Sequence, residues 1–461
     1  MFLMKLGLYL GLFFALIGII IIKVESPKIY KKISSFFDDD KRIIVWTISK
    51  DSNRLSLERN VFEYLNFRER NVLLDAKWDL IWSIEYPFNR YKEQIKGMKT
   101  YQCVNHFPGM SHLTIKKHLA TKFMQHSFIP KGYIFPSMKS DFLAFIQEHS
   151  DAKFVEKNWN NRGVKLLGSV KDINHDAINE KEKFLQLFVE NPFLIDGRFF
   201  DIGIYVLITS FNPLRVYKFD KEVLLRFCSE NYHPLNLDNT KQYVIDDESF
   251  YAWNIKSLQE NVLKINTTVK YAFELYMNKN GYTISDIWEQ TDDAIIKLLL
   301  DVEENVIKES CIYGDPSKNF FEILRFDFIL DEKIKVHLME VNMSPHLTTL
   351  KDFANIKRNY RSQFIYDTLN LAVDGKKSTN DFMLSDERDV NTQVKSAMTE
   401  SESYIAHQSY REHARKGARM KRIFPTSRHY NNNDLISRLS DTNKFSIKWF
   451  HTLCKINQDW C

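Results

Sequence analysis

Cysteine is scarce in this chain: five residues, at 103, 228, 311, 454 and 461, in a length of 461. Their scatter offers no disulfide framework, and no C-x-x-C pair suggests a zinc site. Glycine and proline are also few, at 14 and 11, which excludes a collagen-like or low-complexity chain. Neither sign of charge dominates: 64 Lys and Arg stand against 59 Asp and Glu, for a net charge of +5. That balance permits an acidic partner without demanding one, and nothing in it calls for nucleic acid. Apolar residues, by contrast, are plentiful. A hydrophobic share of 44% with 14% aromatics rules out a wholly disordered chain. The length accommodates about two or three packed units.

Residues 6–22 form a run of 17 without a charge, bracketed by Lys5 and Lys23. As a helix it would span about 25 Å, the short end of a membrane crossing. A cleaved signal peptide needs small residues near its cleavage site, but this run closes on Ile19-Ile20-Ile21-Ile22-Lys23. The run therefore reads as a retained single-pass transmembrane anchor. Lys23, Lys28, Lys31 and Lys32 follow it; the heavier positive side stays cytoplasmic, so the remainder is expected in the cytosol with reduced cysteines.

Beyond a linker ending in Asp38-Asp39-Asp40-Lys41-Arg42, compact apolar patches at 43–48, 73–74 and 78–82 suggest strands of a small α/β unit. Segments 184–189, 202–209, 215–219, 321–330 and 336–341 read as strands, and 113–124, 255–277 and 293–310 as helices. Strands mixed with helices in this order suggest an α+β nucleotide-binding fold. Residues 404–422 are compatible with a basic helix. From Arg411 to Arg428 seven Lys and Arg accompany one acid, Glu412. Such a face is either solvated surface or a site for an acidic partner or a membrane surface.

The chemistry concentrates in two neighbouring strand-like runs joined by Asp331-Glu332-Lys333, which reads as a hairpin turn. Alternation places Asp327 on one face with Arg325 and Ile329, and Glu340 with Asn342. If the runs pair, three oxygen-bearing side chains converge. Two carboxylates and an amide carbonyl suit Mg²⁺, which prefers hard oxygen ligands and shares its remaining positions with water and phosphate. Spacing alone equally allows solvent-facing polar residues of an ordinary hairpin.

FEILRFDFILDEKIKVHLMEVNMSPHL, residues 321–347, resembles the carboxyl-terminal nucleotide motif of the tubulin tyrosine ligase-like family, whose fold is ATP-grasp. Further matches follow in order: WDLIWS (78–83), VNHFPGMSHLTIKKHLA (104–120), FIP (128–130), FVEKNWNNRGVKLL (154–167), LQLFVENPFLIDGRFFDIGIYVLITSFNPLRVYKF (185–219) and RIFP (422–425). The resemblance implies an N-terminal α/β domain at 43–136 and ATP-grasp central and C-terminal domains at 137–372. These are preceded by the anchor (1–23) and linker (24–42), and followed by a polar loop (373–403) and a basic helix with C-terminal tail (404–461).

By the same resemblance Lys157 binds ATP phosphates, and Arg162-Gly163 is the phosphate loop's Arg-Gly pair. Gln186-Leu187-Phe188-Val189 is the adenine hinge, and Asp201 the acid beside the nucleotide. Arg226 grips the carboxylate of the incoming amino acid, and Asp327, Glu340 and Asn342 are the metal ligands. Glu340 and Arg226 are the implied catalytic residues, with ATP and Mg²⁺ as cofactors. The chain also departs from the family. The family's Lys-Phe-Asp-Leu-Arg segment reads Phe199-Phe200-Asp201-Ile202-Gly203, so two cations are missing. The phosphate loop's second glycine is Lys165, from which a charge could be restored. The family's His-Leu-Thr-Asn segment aligns with Tyr243-Val244-Ile245-Asp246 without matching.

Two readings follow from the resemblance. In the first the chain is a membrane-tethered, microtubule-associated ligase that adds L-glutamate to acidic tubulin tails through an acyl phosphate, the basic helix raising encounter rates. In the second it is a catalytically impaired relative that binds microtubules or another partner.

Overall fold

The computed structural model describes residues 42–70, 78–157, 164–173, 184–246, 249–264, 267–347, 360–373, 398–415, 417 and 419–461. Among these residues the strands fall into three sheets. The first contains β1 (Ile44–Ile48), β2 (Arg68–Arg70), β3 (Leu80–Ser83) and β4 (Cys103–Val104), in the order β2-β1-β3-β4 with parallel pairing. β1 is buried along its whole length, as a parallel strand covered on both faces must be. The helix Ser56–Tyr64 sends Leu57, Val61 and Phe62 against Val45, Leu80 and Trp82.

The second sheet holds β5 (Gly132–Ile134), β6 (Phe154–Lys157), β7 (Val164–Leu167) and β8 (Phe184–Leu187), antiparallel in the order β5-β8-β6-β7. One face packs on Phe142 of the helix Lys139–Glu148 through Tyr133, Phe154, Leu167 and Leu185. Strand alternation turns Val155, Lys157, Val164 and Leu166 to the opposite face.

The third and largest sheet holds β9 (Phe200–Phe211), β10 (Leu214–Phe219), β11 (Leu224–Phe227), β12 (Phe250–Tyr251), β13 (Glu322–Leu330), β14 (Val336–Met343) and β15 (Met420–Phe424). β9 is its axis. β13 pairs with it from Ile202 to Ile208, while β11 and β10 pair with its first and second halves. Every residue of β9 is buried, but its two faces differ in kind. Ile202, Ile204, Val206 and Ile208 join Phe326, Phe328, Ile295, Leu298 and Val302 in one apolar core. Asp201, Gly203 and Tyr205 face the other way. One strand thus supplies both the floor of the core and the wall of a polar cleft.

The helix Ile284–Ser310 supplies the other side of that core. At 27 residues it is about 40 Å long, and its other face is exposed and charged, with Asp286, Glu289, Asp293 and Glu304. Among the described residues no helix is long and apolar enough to cross a membrane. That finding overturns the expected transmembrane helix preceding the fold, and with it the single-pass membrane placement and cytoplasmic orientation. Residues 6–22, on which the expectation rested, lie outside the described residues.

Two other segments differ from their sequence reading. The helix expected over 255–277 is two, Lys256–Val262 and Val269–Lys279. Thr268 caps the second, its hydroxyl accepting from the Tyr271 amide at 3.0 Å, and a threonine cap marks a fresh start rather than a helix interior. The segment 404–422 is helical only to Arg415, within Glu400–Arg415, and then becomes β15, paired antiparallel with β10. Its cations are not one solvated stripe. Arg419 pairs with Asp367, Arg422 is buried against Phe450 and the Trp460 carbonyl, and Arg428 meets Asp293. Cys454 and Cys461 form a disulfide that cysteine scatter did not indicate.

Candidate active site

The hairpin forms as its turn signal implies. Asp331 accepts hydrogen bonds from the Lys333 and Lys335 amides at 2.9 and 3.0 Å, and β13 and β14 pair antiparallel with Asp327 opposite Glu340 and Arg325 opposite Asn342. The three oxygen-bearing side chains therefore stand on adjacent strands. Asp327, only 2% exposed, is gripped by donors. Arg325 gives it bonds of 2.6 and 2.8 Å, Arg226 one of 3.0 Å and the Asn342 amide one of 2.8 Å. Glu340 is held by Lys116 at 2.6 Å. Burial alone would raise the Glu340 carboxyl, but the Lys116 ammonium and the Asn342 contact outweigh it and hold the group below its ordinary range.

β11 brings the next cation. Its register sets Arg226 opposite Asp201 of β9, and the guanidinium donates to both Asp201 oxygens while reaching Asp327. Burial pushes the Asp201 carboxyl up to about 6, Arg226 opposing and the neighbouring Asp327 charge adding.

Between the second and third sheets lies a cavity of about 290 Å³. One part is apolar, lined by Val155, Val164, Phe188, Phe199, Ile329 and Met339. The rest is ionic: Lys116, Lys157, Asp201, Arg226, Asp327 and Glu340. Leu187, Phe188 and Val189 border it, as does Gln186. Gln186 donates to the Pro130 carbonyl at 3.1 Å and accepts from Lys157 at 2.7 Å. Burial, with help from nearby Lys116, lowers Lys157 to about 8, so its proton is exchangeable near neutrality.

The structure thus gathers Lys157, Gln186, Leu187, Phe188, Val189, Asp201, Arg226, Asp327, Glu340 and Asn342 around one space. Arg162 and Gly163 lie outside the described residues. Lys165 is exposed on β7 and alternates with the cleft-lining Val164, so it points away and restores no charge there. Sequence reasoning missed Lys116 as a partner of Glu340. Its only signal was its place inside the motif ending IKKHLA. Arg325 was placed on the Asp327 face but given no role.

The tubulin-tyrosine ligase family matches residues 93–381. The chain belongs to that family. It is 36% identical over 296 residues to the probable tubulin polyglutamylase ttll-15 of Caenorhabditis elegans, covering 63% of this chain and 56% of that protein. It is 31% identical over 309 residues to the tubulin polyglutamylase TTLL6 of Mus musculus, covering 63% of this chain and 36% of the relative. With the tubulin polyglutamylase TTLL7 of Xenopus tropicalis it shares 30% identity over 282 residues, 56% of this chain and 30% of the relative. The chain therefore spans between about a third and somewhat over half of the length of these relatives.

Among the described residues no three His, Cys, Asp or Glu side chains gather as a metal cluster. Two carboxylates with one amide are what this member of the tubulin-tyrosine ligase family offers. Hard oxygen donors beside an ionic cleft fit magnesium better than a softer metal, and leave coordination positions for phosphate oxygens.

Proposed function

We propose that the chain is an ATP- and Mg²⁺-dependent carboxylate–amine ligase that adds L-glutamate to the C-terminal tails of tubulin, forming an isopeptide bond. The observation that carries this reading is the division of the cleft. Its apolar part suits a flat heteroaromatic base, and its ionic part suits a triphosphate and a second anion. The names of the relatives support a ligase acting on tubulin over an impaired relative.

In this reading the backbone from Leu187 to Val189 borders the base, and Phe188 and Ile329 enclose it. Lys157 neutralises phosphate charge. Asp327, Glu340 and Asn342 would hold Mg²⁺, which supplies charge neutralisation for the transferring phosphoryl group. Arg226, anchored by Asp201, orients the amino acid's carboxylate. A tail carboxylate oxygen attacks the γ-phosphorus and ADP leaves. The glutamate nitrogen then attacks the acyl carbon, phosphate leaves with the bonding pair, and the amine's proton passes to solvent. The protein contributes preorganised charge and forms no covalent bond of its own.

The test is incorporation of labelled glutamate into tubulin by the full chain, with Glu340→Gln as control. The parent incorporates label, and the variant loses about 100-fold or more in rate. Incorporation unchanged in Glu340→Gln would refute the metal assignment. None by the parent, with ATP and Mg²⁺ present, would refute the ligase.

A further inference from the structure

Gly203 sits at the centre of the ionic wall. Leu224 of β11 stands opposite it on one side and Asp327 of β13 on the other. Its backbone does not require glycine for conformational reasons, since it lies within β9 and its φ is not positive. What favours glycine is space. A Cβ at 203 would meet the Arg325 side chain at Cδ, 3.0 Å away, the Asp327 carboxylate at 3.1 Å and the Leu224 Cβ at 3.1 Å. Arg325 enters from β13, two residues along the strand, opposite Tyr205. Its aliphatic stem lies where the side chain of residue 203 would begin, and its guanidinium closes a two-bond grip on Asp327.

We propose that Gly203 and Arg325 form a matched pair in which the glycine makes room for an arginine that brings positive charge to the cleft wall from the neighbouring strand. This rests on the ATP-binding reading above. Arg325 is a positioning residue: it fixes Asp327 and adds positive charge behind the wall of the cleft.

The experiment measures binding of ATP and of adenosine to the full chain and to three variants: Arg325→Gly, Gly203→Arg, and the double exchange. Arg325→Gly is expected to weaken ATP about tenfold while leaving adenosine within about twofold, because only the triphosphate feels the charge. The double exchange recovers ATP affinity to within about threefold of the parent, whereas Gly203→Arg alone crowds Arg325 and binds both ligands poorly. Equal ATP affinity in Arg325→Gly and parent would overturn the proposal while leaving the ATP-binding reading intact. So would a parallel loss of ATP and adenosine in Arg325→Gly, which marks a purely structural role, or a double exchange no better than Arg325→Gly. Absence of ATP binding by the parent would overturn both readings.

Discussion

Lys116 Nζ lies 2.6 Å from a Glu340 carboxylate oxygen, joining the start of the helix Lys116–Lys122 to β14 at the ionic part of the cleft. The lysine side chain is 40% exposed, so water and salt screen the pair. Lys116→Gln is expected to weaken ATP binding only about two- to fivefold. That difference should shrink at about 0.5 M salt, where screening reaches only a few ångströms. Titration at low and high salt checks it; a loss insensitive to salt would assign Lys116 a contact role instead.

ATP affinity should depend on pH through Lys157. Its folded pKa is lowered to about 8, so the ammonium is present at pH 7 and is lost as pH rises through that value. The dissociation constant for ATP should be level below pH 8 and rise above it, approaching about tenfold per pH unit if the neutral amine contributes nothing. Lys157→Arg, charged throughout, should remove the bend. Equilibrium titrations between pH 6.5 and 9.5, roughly a unit and a half either side, decide the matter.

The helix Glu400–Arg415 is fastened by a buried ion pair. Arg215 of β10 donates to Glu412 at 3.0 Å, and Tyr217 adds a bond of 2.8 Å. The arginine and glutamate side chains are 2% and 7% exposed. Glu412→Ala strands the guanidinium and is expected to cost about 3–5 kcal/mol, whereas the double variant Arg215→Met/Glu412→Leu should cost much less. Urea unfolding of the full chain gives both values. Equal losses would mean that the pair, rather than the stranded charge, carries the stability.

Cys454 and Cys461, seven residues apart, are joined in the structure. Peptide mass analysis without reduction should recover the two as one cross-linked species, with Cys103, Cys228 and Cys311 as free thiols. Cys461→Ser is expected to lower stability by about 2 kcal/mol on the chain-entropy account of so short a loop. Thermal unfolding with and without reductant measures the same quantity independently.

Much of the site was readable because strand alternation and a clear turn signal fix geometry tightly. Asp331 to Lys333 marks the turn that brings the two runs side by side, but the pairing of Asp327 with Glu340 depends on a register shift between Asp327 and Phe328 that counting from the turn would miss. What stayed hidden depended on contacts between distant segments. Lys116 and Glu340 are far apart in sequence, and no period connects them. The exchange between Gly203 and Arg325 requires knowing that β9 and β13 are neighbours. Lys165 was the natural guess for a substitute charge because it is close in sequence, yet the two-residue period of β7 turns it outward. The basic run at 411–428 misled for a related reason. Charge counts do not reveal that Arg419 and Arg422 find partners inside, or that residues 420–424 leave the helix to become a strand.

That strand has a practical corollary. The family match stops at residue 381, while β15 covers the hydrogen-bonding edge of β10 from residues 420–424. A fragment trimmed to the matched span would leave β10 with an uncovered row of amides and carbonyls, ready to recruit a second molecule by edge-to-edge addition. The cooperative unit is therefore wider than its family signature, and truncations meant to isolate the matched span should precipitate unless they keep the chain through Phe424.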